Sequence, residues 1–325
     1  MPANKLKDFN MKPTLVRWVL AHEPIELFIL AAERFVKLVE ERAPGRLNVE
    51  VLTLSEYAEK YNDGKKVSKT ELIDFMTQGR FEMCQAYTYR LSKFNKDLDA
   101  LDLPFLFDSH EKAARVFEGP LGQQLIDGYE ATNPKLKGLA YTYSGGFKNI
   151  LFTNEVNSLE DFRGAKIRVS DSPVSEATWK AMGVTPARVE IEDLREHMGA
   201  GTVDGGECTW SRFYGSNCND VTHTIYDTQH NLLLTNIIAN ADFFKSLDPE
   251  LQEIVRQAAV EAGRYEREIS IDDAPATERQ ARKDGFKVIK LSAAERQQFI
   301  EATKQIYQQF ENWFTPGLVQ QLRQA

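Results

Sequence analysis

A chain of 325 residues with 42% apolar and 27% charged side chains is too long for one typical core and too apolar for disorder, so two compact lobes are expected. A formal charge of −8 without a basic block makes the chain a poor candidate for binding nucleic acid or an anionic membrane, and any anionic ligand must be drawn in by local geometry. No apolar run approaches the roughly 20 residues that span a bilayer, and residues 1–24 lack an apolar stretch followed by a small-residue cleavage site, so the chain as given reads as soluble.

In chain order, Leu15 to Ala21 is predicted as a strand and His22-Glu23-Pro24 as a turn. Ile25 to Arg42 follows as a helix with Phe28, Ala32, Phe35, Val36 and Val39 on one face. Pro44-Gly45 ends that helix, and Leu47 to Thr53 is the next strand, which implies a parallel pair with a right-handed crossover. Glu71 to Gln78 is a helix stopped at Gly79 and followed by the strand RFEMCQAY. Glu192 to Met198, stopped near Gly199 and Gly201, precedes TVDGGECTW in the same order. This echo predicts the same supersecondary unit once in each lobe, with a left-handed glycine cap in both. Ser144-Gly145-Gly146 is a flexible point where the chain crosses between lobes, and LLLTNIIANADFFKSL carries it back. A long helical region opens at Asp248-Pro249, and a Ser292–Glu295 capping box starts the last major helix. The expected lobes are 1–145 plus 234–273, and 146–233 plus 274–325.

The glycines of Gly199 to Gly206 follow a helix and precede a strand, the reverse of a phosphate-binding loop. Five histidines show no H-E-x-x-H, no cysteine pair has two-residue spacing, and there is no G-x-S-x-G, so no metal, cofactor or catalytic machinery is expected. Three cysteines, Cys84, Cys208 and Cys218, are no disulfide framework. A bridge between Cys208 and Cys218 is one pairing open to them.

Period-two alternation makes Lys166-Ile167-Arg168-Val169 a strand. Ser172 then suits a helix N-cap and Pro173 the first helical position, with Gly183 as the stop. Arg168 thus lies near a strand's carboxyl end and a helix N-terminus, two places that favour anions, and its planar fork can grip a carboxylate by two bonds. On pattern alone, both a functional arginine and a solvated strand face stay open.

The runs FRGAKIRV, AMGVTP and LREHMGAGTVDGGE, with ERFVKLVEERAPGRLNVEV, LDLPFLF, GFKNILFTN and SLDPELQEIVRQAA, resemble the solute-binding proteins of TRAP (tripartite ATP-independent periplasmic) transporters, the DctP family. The resemblance covers nearly all of the chain in order. It implies an α/β, two-lobed periplasmic-binding-protein-like fold, each lobe a mixed sheet flanked by helices, with a long helix spanning both. It implies a monomeric periplasmic protein, an export signal that the chain as given does not display, and capture of an organic-acid carboxylate for delivery to an integral membrane permease. A ligand sensor docking on a membrane receptor, or an enzyme on the same scaffold, are the rival readings. Carried over residue by residue, Arg168 would bind the carboxylate, Lys148 would be a second basic residue, and Glu207 would brace the cluster. Departures from the pattern are Cys208 in place of a common Asn, Lys148 in place of a common Arg, Tyr87 in place of an acid, and Asp171 beside the anion site. Phe147, Trp210 and Phe213 add aromatic surface that suits a ligand with one carboxylate and an apolar or aromatic body, with sugar acids and hydroxylated dicarboxylates as the open alternatives. His22, Glu23 and Arg90 complete the candidate set.

Overall fold

The computed structural model describes residues 12–21 and 26–325. Among them ten strands form one mixed sheet: β1 Thr14–Val19, β2 Leu47–Leu52, β3 Met83–Tyr87, β4 Leu136–Phe152, β5 Lys166–Val169, β6 Thr185–Arg188, β7 Gly205–Thr209, β8 Thr224–Asp227, β9 Leu232–Asn240 and β10 Lys287–Lys290. The order is β2-β1-β3-β9-β4-β7-β5-β6, with β8 on β4 and β10 on β8.

The echo read from the sequence is a topological repeat. β1 pairs in parallel with β2 and β3, and β5 pairs in parallel with β6 and β7. β3 then meets β9 antiparallel, and β7 meets β4 antiparallel. In each copy a short helix, Leu72–Thr77 or Leu194–Gly199, leads through a left-handed glycine, Gly79 at φ 77° or Gly201 at φ 66°, into the strand that contacts the crossing strands. Because both halves repeat one plan, the carboxyl ends of β1 and β5 are equivalent places.

β4 crosses between the halves as one 17-residue strand. Residues 136–147 pair with β9, and Lys148–Phe152 with β7. The expected flexible point is instead a register shift between Tyr143 and Gly146, held in the sheet by pairing on either side. Gly145 takes φ 93°, and a Cβ there would stand 2.2 Å from Thr209 Oγ1, so this approach of β4 to β7 requires glycine.

Both faces of each half are covered. Trp18, Phe28, Phe35 and Val255 fill one face of the first half, and Tyr57, Met76, Phe117 and Leu125 the other. In the second half Ile150, Val169, Trp179 and Phe299 fill one face, and Leu151, Leu194, Phe213 and Ala281 the other. The long helix is Pro249–Lys283. Asp248 caps it by accepting from Leu251 N at 3.0 Å, and it carries Pro275 inside. Its Val255, Ala258 and Ala262 pack on the first half, and its Ala281 on the second. The last major helix is Ala293–Gln309, opened by the expected Ser292–Glu295 capping box. Its Phe299 joins the second half, while its Ile306, and beyond the helix Phe310, Phe314, Leu318 and Leu322, join the cluster that holds Tyr57, Met76, Phe117 and Leu125. No helix among the described residues is long and apolar enough to cross a membrane.

Candidate functional site

β5 is set by the V-D-G-G-E run. Asp204 Oδ2 accepts from Lys166 N at 2.7 Å and pins the start of the strand. Arg168 then pairs with Gly206, so the two residues share a face of the sheet. A Cβ at residue 206 would lie 2.9 Å from Arg168 Cβ and 2.4 Å from Leu194 Cδ1, so glycine makes room for the arginine stem. Beyond the strand, Ser172 caps the helix Pro173–Ala181, accepting from Ser175 N at 3.3 Å, with Pro173 in the first turn.

Arg168 is 1% exposed. Its Nε donates to Val189 O at 2.7 Å and its Nη1 to Glu207 O at 3.2 Å. These partners are main-chain carbonyls, which orient a guanidinium without neutralising it. The group opens on a cavity of about 370 Å³ lined by Tyr89, Arg168, Asp171, Arg188, Val189 and Glu190. A desolvated cation with no carboxylate ion-pair partner among the described residues, facing a cavity of that size, is suited to a small anion.

The rim is largely balanced. Asp171, expected to oppose a second carboxylate, is paired with Arg188 at 2.8 Å, and Arg188 also meets Glu176 at 2.6 Å. Glu190 is paired with Arg90 at 2.5 Å. Tyr89 stacks on Tyr87 with centroids 5.0 Å apart and planes 11° apart. Burial pushes both phenols up, so they act as neutral hydrogen-bond groups.

Lys148 and Glu207 lie on the other face of the sheet. Lys148 pairs with Thr209 and Glu207 with Ile150, out of phase with Gly206 and Arg168. Lys148 Nζ reaches Ser170 Oγ at 3.3 Å and Glu207 Oε2 at 3.5 Å. The same carboxylate accepts from Trp179 Nε1 at 2.9 Å and Ser170 N at 3.0 Å. His230 Nε2 lies 3.0 Å from it and Nδ1 lies 2.7 Å from Thr228 Oγ1. Burial lowers the His230 pKa, so the ring is neutral, with Nε2–H donating to Glu207 and Nδ1 accepting from Thr228. Burial alone would raise the Glu207 carboxyl, but Lys148, His230 and Arg168 outweigh it and hold the group well below the usual carboxylate range. Glu207 therefore braces Lys148 through its side chain and Arg168 through its main-chain oxygen.

The remaining candidates are dispersed. Cys208 is buried on the Arg168 face of β7. Phe213 packs in the core against Phe286 and is not among the residues that line the cavity. Phe147 and Trp210 line a separate crevice beside His110 and the long helix. Tyr87 and Arg90 stand behind and beside the rim. His22 and Glu23 lie outside the described residues.

Several residues that sequence reasoning missed contribute. Arg188 ends an edge strand and Glu190 a loop, positions with no pattern to mark them. Arg212, in the helix Trp210–Gly215, is fully buried. Its Nε donates to Ser144 Oγ at 2.7 Å, its Nη2 donates to Tyr87 OH, and Glu192 Oε1 lies 3.7 Å away. Asn149 pairs with Cys208 on the Arg168 face, 0% exposed, and neither of its amide atoms has a partner among the described residues. Its place in GFKN was the one available signal.

Residues 21–312 match the profile of DctP, the bacterial extracellular solute-binding protein family 7. The chain is similar to a C4-dicarboxylate-binding protein DctB of Bacillus subtilis, 26% identical over 90% of this chain and 81% of that one. It is similar to a TRAP periplasmic solute-binding protein of Ochrobactrum anthropi, solved with its C-terminus bound in the ligand-binding pocket: 28% identity, TM-score 0.83, covering 96% of this chain and 94% of that one. A TRAP periplasmic solute-binding protein of Ralstonia eutropha with bound (S)-2-acetolactate superposes with TM-score 0.82 at 25% identity, covering 95% of this chain and 98% of that one. The two-lobed α/β fold, the order of its elements and the matched profile agree, and the chain belongs to the DctP family of TRAP transporter solute-binding proteins.

Proposed function

We propose that the protein captures a small organic acid by its carboxylate at Arg168, between two lobes that close over it, and delivers it unchanged to an integral membrane permease outside the cytoplasm. The observation that carries this reading is the buried Arg168 guanidinium, oriented by two carbonyls and facing a cavity of about 370 Å³. The Asn149 amide, on the same face and without a partner among the described residues, offers both a donor and an acceptor to a hydroxyl or keto oxygen. The names of relatives support the class: one is a C4-dicarboxylate-binding protein and one holds acetolactate. The moving bodies are residues 12–145, 234–273 and 306–325 against 146–233 and 274–305. They join at the register shift in β4 and at Pro275 of the long helix, where a missing N–H weakens the helical ladder.

A thermal-shift screen against organic acids, followed by calorimetry on the best binder, tests this. A ligand of the native state raises Tm by mass action. Arg168→Ala then loses at least ~30-fold in affinity, the effect of truncating one side of a buried charge pair. Arg168→Lys also binds weakly, because a point charge replaces the fork. Affinity within a few fold of wild type in both variants rejects Arg168 as the carboxylate site. Turnover of the bound acid, read by mass spectrometry, rejects the binding-protein reading.

A further inference from the structure

A second crevice of about 370 Å³ lies where the two halves join. The register shift of β4 contributes Gly145 and Phe147, the long helix contributes Ser270 and Pro275, and the second half contributes Trp210 and Asp227. None of these residues lines the Arg168 cavity. Two groups in the crevice wall lack the partners that burial demands. Ser270 is 1% exposed, and its hydroxyl has no hydrogen-bond partner among the described residues. Asp227, at the end of β8, is 4% exposed. It accepts from Gln229 Nε2 at 3.1 Å but is in no ion pair among the described residues. Its register partner Lys290, on β10, meets Glu278 instead, at 2.7 Å. Glu278 also meets Arg282 at 3.0 Å, so that acid is balanced and Asp227 is not. Burial is the largest influence on the Asp227 carboxyl and pushes its pKa up, as it does for a carboxylate short of counter-charge.

We propose that this crevice binds a small organic ammonium ion, with Asp227 as its counter-charge and Ser270 Oγ accepting from one of its N–H groups. The rest of the wall suits such a guest. Phe147 and Trp210 add aromatic surface, and the His110 ring lies 4.7 Å from that of Phe147, centroid to centroid. Aromatic faces attract cations, most strongly where water is excluded. Asp108 and Glu111 stand at the exposed mouth, where their charge draws a cation inward. Among the described residues no group of three His, Cys, Asp or Glu side chains could hold a metal ion, which favours an organic cation over a metal. The volume is within the roughly 300–1,000 Å³ of small-molecule sites. Ser270 belongs to one of the proposed moving bodies and Asp227 to the other. If those bodies move as proposed, a bound amine favours the arrangement in which the two residues stand together. Binding of the amine does not depend on that motion.

Calorimetric titration of the full chain with 1,4-diaminobutane tests the site, with sodium chloride and tetramethylammonium chloride at matched ionic strength as controls. The expected result is saturable one-site binding of the diamine. Tetramethylammonium binds at least about tenfold more weakly, because it has no N–H for Ser270. Asp227→Asn keeps the shape and the acceptor for Gln229 but loses at least ~30-fold in diamine affinity. Ser270→Ala, a small change on a helix, loses about tenfold. The diamine raises the Tm of wild type by mass action and leaves that of Asp227→Asn unmoved. Arg168→Ala binds the diamine as wild type does. No saturable binding to wild type, a response that the salt controls match, or affinity within a few fold of wild type in both Asp227→Asn and Ser270→Ala would overturn the proposal. So would diamine binding that is lost in Arg168→Ala and kept in Asp227→Asn. No organic acid enters these measurements, so the reading of Arg168 stands or falls separately.

Discussion

The main-chain oxygen of Glu207 accepts from Arg168 at 3.2 Å, while its carboxylate leaves through the opposite face of the sheet to Lys148. One residue thus couples the proposed carboxylate site on one face of β7 to a sealed ion pair on the other. Glu207→Gln leaves the Lys148 ammonium buried without its counter-charge, and losing one member of a buried pair costs about 3–5 kcal/mol. Urea unfolding of Glu207→Gln checks this. Lys148→Met on the same background recovers part of the loss, since the unpaired charge goes with it. The pH dependence has a fixed sign. The folded pKa of Glu207 lies below its unfolded value, so its contribution is complete above the usual carboxylate range and is lost as pH falls through the folded pKa. That part of the acid slope is absent from Glu207→Gln.

Arg188→Ala probes the rim. Arg188 is half-exposed and neutralises Asp171 and Glu176 beside the cavity. Without it, Asp171 faces an incoming carboxylate uncovered. The expected outcome in calorimetry and stopped-flow binding is a slower association rate with a steeper dependence on salt, and a smaller change in dissociation. The double variant Arg188→Ala with Asp171→Asn restores the wild-type rate, because the repulsion is removed with its source.

How much of this was legible beforehand divides along physical lines. Strand alternation, the Ser172 and Ser292 caps, Pro249 and the glycine stops are local signals, and the elements they mark stand where the sequence put them. The repeat of helix, glycine and strand announced the paired β2-β1-β3 and β6-β5-β7 plans. Arg168 stood out because its motif and its place at a strand end coincide, and it lies buried against a cavity. Lys148 was visible too, but the face it occupies depends on the β4–β7 register, and one residue of register moves a side chain through the sheet. The tail's attachment to the first half, the Arg90–Glu190 contact and the burial of Arg212 are set by tertiary packing between distant segments, which no local pattern encodes.

Arg90 and Glu190 test the contact between the proposed lobes. They meet at 2.5 Å across the cavity mouth, with Lys69 3.7 Å from Glu192 beside them. The pair is partly exposed, at 16% and 35%, so screening limits it to about 0.2–1 kcal/mol. Arg90→Gln removes a contact that exists only when the lobes meet. It therefore lowers apparent affinity by less than about fivefold through the closed population, without touching the carboxylate. Small-angle scattering of the unliganded variant shows a larger radius of gyration than wild type. An unchanged radius together with a large affinity loss would instead make Arg90 a direct ligand contact.

Glu266 offers a test at the opposite end of the pH scale. It lies 0% exposed on the long helix, and Gln85 Nε2 donates to its two oxygens at 3.1 and 2.9 Å. The same amide reaches Thr142 and Thr235, so this cluster ties the long helix to β3, β4 and β9. Burial is the dominant influence and pushes the carboxyl pKa well above the usual range. The folded protein then holds a proton that the unfolded chain gives up, so stability falls as pH rises from the usual carboxylate range through the folded pKa. Glu266→Gln keeps the shape and the hydrogen-bonding capacity but cannot ionise. In thermal unfolding across neutral to alkaline pH it loses less stability than wild type, and the two curves converge at acid pH. A variant that is less stable than wild type at every pH would mean that the carboxylate is charged in the fold and balanced by Arg267, the nearest cation on the same helix.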